Sequence, residues 1–300
     1  MKDIPNYDQF TNITPIHKGW SHDKKYRVET HSGKKLLLRI SDISEFEEKR
    51  REFELMRQMS ATSIKMSEPI DFGVCNEGQS VYQLLTWIDG DEAKELLPSL
   101  SEQEQYAYGW QAGQMMLKMQ TAESYPPSSE WASVYGQKVK QYIEAYQSCG
   151  EKLYGEELLL PFLEKHAPCL ENRPRHLLHA DFQSDNMVIT PDGELYAIDF
   201  QGSGVVDPYY ALTGVMVTAE VSTQFSNGQL HSYFDGNVPD DFWELNAYYV
   251  IAESIHAFSV AVGLGPEEIA YSNEMSKATL GWFDNFHNLV PSWYRDIRQS

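Results

Sequence analysis

The stretch His179-Ala180-Asp181-Phe182-Gln183-Ser184-Asp185-Asn186 carries the densest chemistry in the chain, and Ile198-Asp199-Phe200 follows it, with Asp199 thirteen residues after Asn186. Between them lie two short apolar runs joined by Pro191-Asp192-Gly193, the signal of a β-hairpin. One loop thus offers Asp181 and Asn186, and one strand end offers Asp199. Phosphoryl transfer asks for this set: a carboxylate that accepts or aims a hydroxyl proton, and hard oxygen ligands for the Mg²⁺ that neutralises phosphate charge. An isolated Asp-x₄-Asn is ordinary turn chemistry, in which both side chains bond the local backbone. The combination with the histidine, the hairpin and the second aspartate is far more specific.

The elements around this set change character along the chain. Residues 25–30 and 35–40 are β-rich and flank the turn His31-Ser32-Gly33-Lys34, and strands are also expected over 68–74 and 80–88, around Cys75-Asn76-Glu77-Gly78. Residues 44–59 have Phe46, Phe53, Leu55, Met56 and Met59 at roughly helical spacing and no Gly or Pro. Beyond Asp89-Gly90-Asp91 the pattern turns helical, over 102–120, 130–147, 156–166, 209–220, 242–262 and 267–289. It is interrupted by the strands at 186–190 and 194–200. The expected architecture is α+β in two lobes: an antiparallel-sheet N-lobe over 1–89 and a larger, mostly helical C-lobe over 90–300. The cleft between them is the expected ligand site.

Composition narrows the function classes. The 300 residues are 42% hydrophobic and 23% charged, as expected of a folded chain rather than a disordered one. Lys and Arg number 24 against 44 Asp and Glu, a formal charge of −20 that disfavours nucleic acid and anionic membrane as partners and favours cationic ones. Cys75, Cys149 and Cys169 are odd in number and widely spaced, which excludes a disulfide framework and a CxxC zinc site. The first residues show no apolar leader, and no run of ~20 apolar residues stands out, so a cytoplasmic location is expected.

On the His179–Asn186 loop and the Ile198-Asp199-Phe200 strand end, the chain resembles the aminoglycoside phosphotransferase family. That family includes choline kinase-like small-molecule kinases and shares a protein-kinase-like fold. The resemblance implies Asp181 as catalytic residue and Asn186 and Asp199 as magnesium ligands. His179 is read as a structural histidine. Asp207, before Pro208, is read as a helix cap. The family also implies a cation on the third strand held by a helix glutamate. Arg39 in Leu36-Leu37-Leu38-Arg39-Ile40 and Glu52 fill those places, with Glu48 and Glu54 as rivals. Gly19 and Ser21 would approach the phosphates, and the segment holding Thr86 and Ile88 would meet the nucleobase of ATP or GTP.

Departures are visible too. Ala180 and Asp185 stand where relatives carry Gly. Gln201 follows Asp199-Phe200 where a protein kinase has Gly, and no Ala-Pro-Glu segment follows. The last two features speak against a protein substrate and for a small-molecule hydroxyl acceptor. The net charge of −20 leads one to expect it to be cationic, an aminoglycoside-like compound or an amino alcohol or sugar. A non-catalytic ligand-binding homologue is the further alternative. Acceptor-pocket carboxylates are sought among Glu220, Asp235, Glu253, Glu267 and Glu268.

Overall fold

The computed structural model describes residues 1–17 and 23–297. The N-terminal half is built on strands β1 (Phe10–Ile16), β2 (Lys24–Thr30), β3 (Lys35–Asp42), β4 (Pro69–Cys75) and β5 (Ser80–Thr86), with helix α1 (Phe46–Ser60) between β3 and β4. The sheet is antiparallel in the order β1-β2-β3-β5-β4. Strand alternation gives it two distinct faces. Val28, Leu36, Leu38, Ile40, Tyr82 and Leu84 point one way and, with Ile4 and Cys75, form a small core of their own. Lys25, Arg39 and Gln83, directly opposite one another across β2, β3 and β5, point the other way.

Helix α1 packs on β4 through Phe46 and Phe53, whose rings lie 5.4 and 5.5 Å from that of Phe72. Met56 and Met59 of α1, with Ile64, Met66 and Leu85, belong to the large core of the second half. The two lobes therefore share apolar packing. The segment after α1 also bonds directly into the second half: Ser67 N–H donates to Ala197 O (3.0 Å) and Ala197 N–H to Lys65 O (2.9 Å).

The second half runs through β6 (Asp91–Glu92), α2 (Ala93–Leu96), α3 (Glu102–Met119), β7 (Ser124–Ser128), α4 (Glu130–Ser148), α5 (Glu156–His166) and β8 (Arg173–Leu178). It continues with β9 (Met187–Ile189), β10 (Leu195–Ala197), β11 (Gly204–Val206), α6 (Pro208–Ala211), α7 (Gly214–Ala219), α8 (Thr223–Tyr233), α9 (Asp240–Leu264) and α10 (Pro266–Trp282). Two three-stranded sheets, β10-β9-β6 and β11-β8-β7, carry the loops of interest.

Ser101 and Glu104 cap α3 reciprocally, a box contributing about 1 kcal/mol. Helix α9 is apolar and long enough to cross a membrane by composition alone, yet here it is a core helix that buries Phe242, Leu245, Tyr249, Ile251, Ile255 and Phe258. Helices α3 and α8 cross in backbone contact. A Cβ at Gly109 would stand 2.0 Å from Phe225 O, and one at Gly228 would stand 2.3 Å from Tyr106 O.

Several elements depart from expectation. β1, β6, β7, β8, β11, α2 and α8 were not expected. The region 209–220 is two helices, α6 and α7, rather than one. The last helix stops at Trp282, because Asp284, Asn285 and Phe286 take left-handed φ of 47°, 50° and 66°. Asp207 does cap α6: its Oδ1 accepts the Tyr209 N–H at 2.8 Å. All three cysteines are free.

Candidate active site

Strand β8 delivers the chain to His179, which is fully buried. Its Nδ1 accepts the backbone N–H of Asp181 (3.2 Å), so Nε2 carries the proton and donates it to Ile198 O (2.9 Å). Burial holds this imidazole below its ordinary pKa, in the neutral form. Phe182 and Phe200 flank it at 5.7 and 4.7 Å. The ring therefore ties the loop to the end of β10, one residue before Asp199, which gives a physical basis for the structural role expected of it.

Asn186 is held by both groups of Asp181. Its Nδ2 donates to the Asp181 carboxylate (2.7 Å) and to the Asp181 carbonyl (2.9 Å). That fixes the amide so that Oδ1 is the free end. The β9–β10 hairpin closes the set, with Ile198 N–H donating to Asn186 O at 2.9 Å. Desolvation by the surrounding protein pushes the Asp181 pKa up, although its side chain opens to the cleft. Asp199 and Asp185 add to the shift, while the hydrogen bond from the Asn186 amide opposes it.

Asp199 leaves the strand at φ +54°, a left-handed turn that Asp tolerates better than most residues. Its Oδ1 accepts from Arg39 Nη1 at 3.2 Å, and its Oδ2 lies 3.9 Å from Lys25 Nζ. An amide oxygen and a half-exposed carboxylate are hard donors suited to Mg²⁺, which usually takes one or two protein oxygens and completes its shell with phosphate and water. Among the described residues no cluster of three or more His, Cys, Asp or Glu could hold a metal by itself. Asn186 and Asp199 would therefore supply part of such a shell and leave the rest to other ligands.

Arg39 is almost completely buried, 3% exposed. Its Nε and Nη2 donate to Asp23 Oδ2 (3.1 and 2.6 Å), and Nη2 also donates to Gln201 Oε1 (2.8 Å). Glu52 lies 3.6 Å from Nη1 and is shared with Lys49 Nζ at 3.8 Å. Its rivals Glu48 and Glu54 face solvent. Burial raises the Glu52 pKa, against the pull of Arg39 and Lys49. Burial also works against the Asp23 anion, but Arg39, Ser41 and Lys49 outweigh it and hold its pKa below the ordinary value.

Asp23 and Lys49 were not singled out in the sequence. For Lys49 a signal existed: residues 49, 52, 56 and 59 recur at helical spacing and are all buried, so the apolar stripe of α1 runs on through two charged residues.

Gly19 and Ser21 lie outside the described residues. In the segment joining the lobes, Thr86 N–H donates to Glu68 O (2.9 Å), and Thr86 O accepts from Ser67 Oγ (2.7 Å). Trp87 N–H donates to Lys35 O (3.3 Å), and its ring lies under Arg27 at 5.7 Å. Neither peptide group of Ile88 has a backbone partner among the described residues, so both can meet a ligand.

Asp181 opens into a cavity of about 490 Å³ between α7, α9 and α10. Met216, Val217, Val250 and Met275 line it, with the rings of Tyr210, Tyr271 and Trp282. Of the acidic candidates, only Glu253 is in the lining. Glu253 is already engaged by Lys138 (3.4 Å) and by the hydroxyls of Tyr135 (3.0 Å) and Tyr210 (3.1 Å). Burial disfavours the Lys138 ammonium, but Glu253 and Tyr210 more than compensate and raise its pKa.

The profile of the phosphotransferase enzyme family designated APH matches residues 12–244. Solved structures agree at the level of fold. A thermostable mutant of the aminoglycoside phosphotransferase APH(4)-Ia superposes with a TM-score of 0.69 at 15% identity, over 92% of this chain and 96% of that one. The GDP complex of aminoglycoside 2'-phosphotransferase-IIIa gives 0.66 at 13% identity, over 93% and 95%. Amicoumacin kinase hAmiN, in complex with AMP-PNP, Ca²⁺ and Ami, gives 0.62 at 16% identity, over 98% and 92%. A search of the curated proteins finds no match.

Proposed function

The chain belongs to the APH phosphotransferase enzyme family, and from that premise we propose that it moves the γ-phosphate of ATP or GTP onto a hydroxyl of a small, amine-bearing molecule seated in the cavity beside Asp181. The observation that carries this reading is the double role of Asp181, which lines the cavity and also holds Asn186 through its carboxylate. A hydroxyl in the cavity would meet the carboxylate that accepts or aims its proton. Asn186 Oδ1 and Asp199 would hold Mg²⁺, which supplies neutralising charge to the phosphates when bound. His179 keeps the loop and the Asp199 strand end in register, and Ile88 offers its peptide groups to the base.

An amine on the acceptor is supported by the net charge of −20 and by the Tyr271 and Trp282 rings of the lining, which attract cations when water is excluded, whereas the Tyr210 ring already carries the Lys138 ammonium at 5.2 Å. Glu253 is neutralised by Lys138, so the lining favours one amine and an apolar body over a polyamine. The test is nucleotide consumption by the purified protein across an acceptor panel graded in amine number and apolarity, at low and high salt. Consumption stimulated by a hydroxylated monoamine supports the proposal. Stimulation by neutral or anionic hydroxyl compounds alone overturns the amine requirement. No stimulation by any hydroxyl compound overturns the transfer reading.

A further inference from the structure

One ammonium group is already seated at the cavity wall, and it belongs to the chain itself. On α4, Tyr135, Lys138 and Tyr142 fall three and four residues apart, so they share one face of the helix. Tyr210 on α6 and Glu253 on α9 close around that face. The Lys138 Nζ lies 5.6, 5.2 and 5.2 Å from the ring centroids of Tyr135, Tyr142 and Tyr210. It donates to Tyr210 Oη at 3.2 Å and to Glu253 Oε1 at 3.4 Å. Aromatic rings and a carboxylate gathered around a cation are the means by which proteins recognise free ammonium ligands.

The cage is built independently of its occupant. Tyrosine hydroxyls orient Glu253: Tyr135 and Tyr210 donate to Oε1 at 3.0 and 3.1 Å, and Tyr142 donates to Oε2 at 3.5 Å. Tyr135 and Tyr142 are buried, and His256 stacks on Tyr142 at 4.1 Å. Lys138 is the loosest member. Its two polar contacts are longer than the ~2.8 Å of a close charge-assisted bond. Its side chain is 40% exposed and reaches in on a flexible four-carbon stem. Lys138, Tyr210 and Glu253 all line the cavity that holds Asp181.

We propose that Glu253 and the three tyrosines form an ammonium subsite of the acceptor pocket, and that Lys138 fills it and so limits how many amines an acceptor can carry. While Lys138 is in place, Glu253 is neutralised and a second acceptor amine gains no counter-charge there. Without it, the subsite takes that amine. Only the acceptor role rests on the transfer reading above; the subsite is testable without it.

Thermal unfolding reads the subsite in the absence of turnover. Midpoints are compared in ethylammonium chloride and in sodium chloride at equal ionic strength, so that screening is matched. In the parent the two salts should give the same midpoint. Lys138→Ala and Lys138→Met, the second keeping an apolar stem, should melt about 2 °C or more higher in ethylammonium near saturation, as expected of a cation that binds the folded state. Adding Glu253→Gln should abolish that difference. In the nucleotide-consumption assay, the KM for a hydroxylated diamine relative to its monoamine should fall about 10-fold in both single variants, the scale of one charge-assisted hydrogen bond. If neither single variant distinguishes the two salts, or if the variants with Glu253→Gln still do, the proposal is wrong. If the salts are distinguished but the KM ratio stays at the parent's, the specificity role of Lys138 is overturned and the transfer reading stands. No stimulation of the parent by any hydroxyl compound sinks the transfer reading, and the acceptor role with it, while the salt comparison still decides the subsite.

Discussion

His179 and Asp181 are joined by a hydrogen bond that runs from the backbone of the aspartate to Nδ1 of the histidine, at 3.2 Å. The opposite ring nitrogen holds Ile198 O at 2.9 Å, so one neutral imidazole sets the spacing between the loop and the strand end. His179→Ala should remove both bonds and leave a void between Phe182 and Phe200. We expect a loss of about 2–4 kcal/mol of stability, read from urea denaturation. Turnover should fall further than nucleotide affinity. An unchanged midpoint would mean the ring is not the tie described.

Asp181→Ala should leave the fold and nucleotide affinity nearly as they are and lower kcat by about 10²–10⁴-fold. The anion is the working form, and the Asp181 pKa lies above the usual carboxylate value. The rate should therefore be lost as pH falls through that raised pKa, and the limb should vanish from the residual rate of Asp181→Asn. A variant that keeps a tenth of parental turnover would remove Asp181 from the chemistry.

Asn186→Ala and Asp199→Ala should each weaken Mg²⁺-dependent nucleotide binding, with Asp199 costing more because it brings formal charge where the amide brings a dipole. Calorimetry with and without Mg²⁺ measures both. Asp199→Ala also strips a partner from Arg39, so its melting temperature should change where that of Asn186→Ala does not. Parental affinity that ignores Mg²⁺ would contradict the assignment.

The partnership of Arg39 is graded by distance: Asp23 at 2.6 Å, Glu52 at 3.6 Å. In double-mutant cycles on stability the Arg39–Asp23 coupling should exceed the Arg39–Glu52 coupling. Removing Asp23 alone leaves Arg39 and Lys49 buried with fewer counter-charges, and should cost about 3–5 kcal/mol. Equal couplings would show that the three-carboxylate arrangement acts as one unit.

Glu220 carries a pH signature. Burial, with a contribution from Asp185 and against the pull of Lys94, pushes its pKa from 4.5 up to about 7. The unfolded chain loses this proton near 4.5, whereas the folded chain keeps it until about 7. Between those values the folded state binds more protons, so this group's contribution to stability falls as pH rises. Its side chain still reaches solvent, and screening limits the effect to roughly 1 kcal/mol or less. Glu220→Gln should flatten the stability–pH curve between pH 5 and 7 relative to the parent. A parallel curve would show that Glu220 does not titrate in that window.

The loop, the hairpin and the sheet were legible because each has a local signature: turn residues at fixed offsets and alternating apolar positions. β1 was not, because it is an edge strand with Pro15 in it and no buried residue. α8 was not, because its buried side includes Ser226, Asn227, Gln229, His231 and Ser232, so polarity hid a core helix. Asp23 reads as one more polar residue of a loop until β2 and β3 pair and bring Arg39 to it. The cavity joins Asp181 to Tyr210, Glu253 and Met275, residues no local pattern connects.

The backbone contact between α3 and α8 has a consequence for how such a chain can change over generations. Even a methyl at Gly109 or Gly228 would collide with main chain rather than with a movable side chain, so substitution at the crossing is sterically closed. Tyr271, Ser272 and Met275 lie on α10 in the lining of the cavity, to which neither α3 nor α8 contributes. They can be exchanged with no effect on that crossing. Diversity of acceptors is thereby channelled onto one replaceable wall, and a lineage, or a library, can explore it while the machinery for phosphate stays where it is.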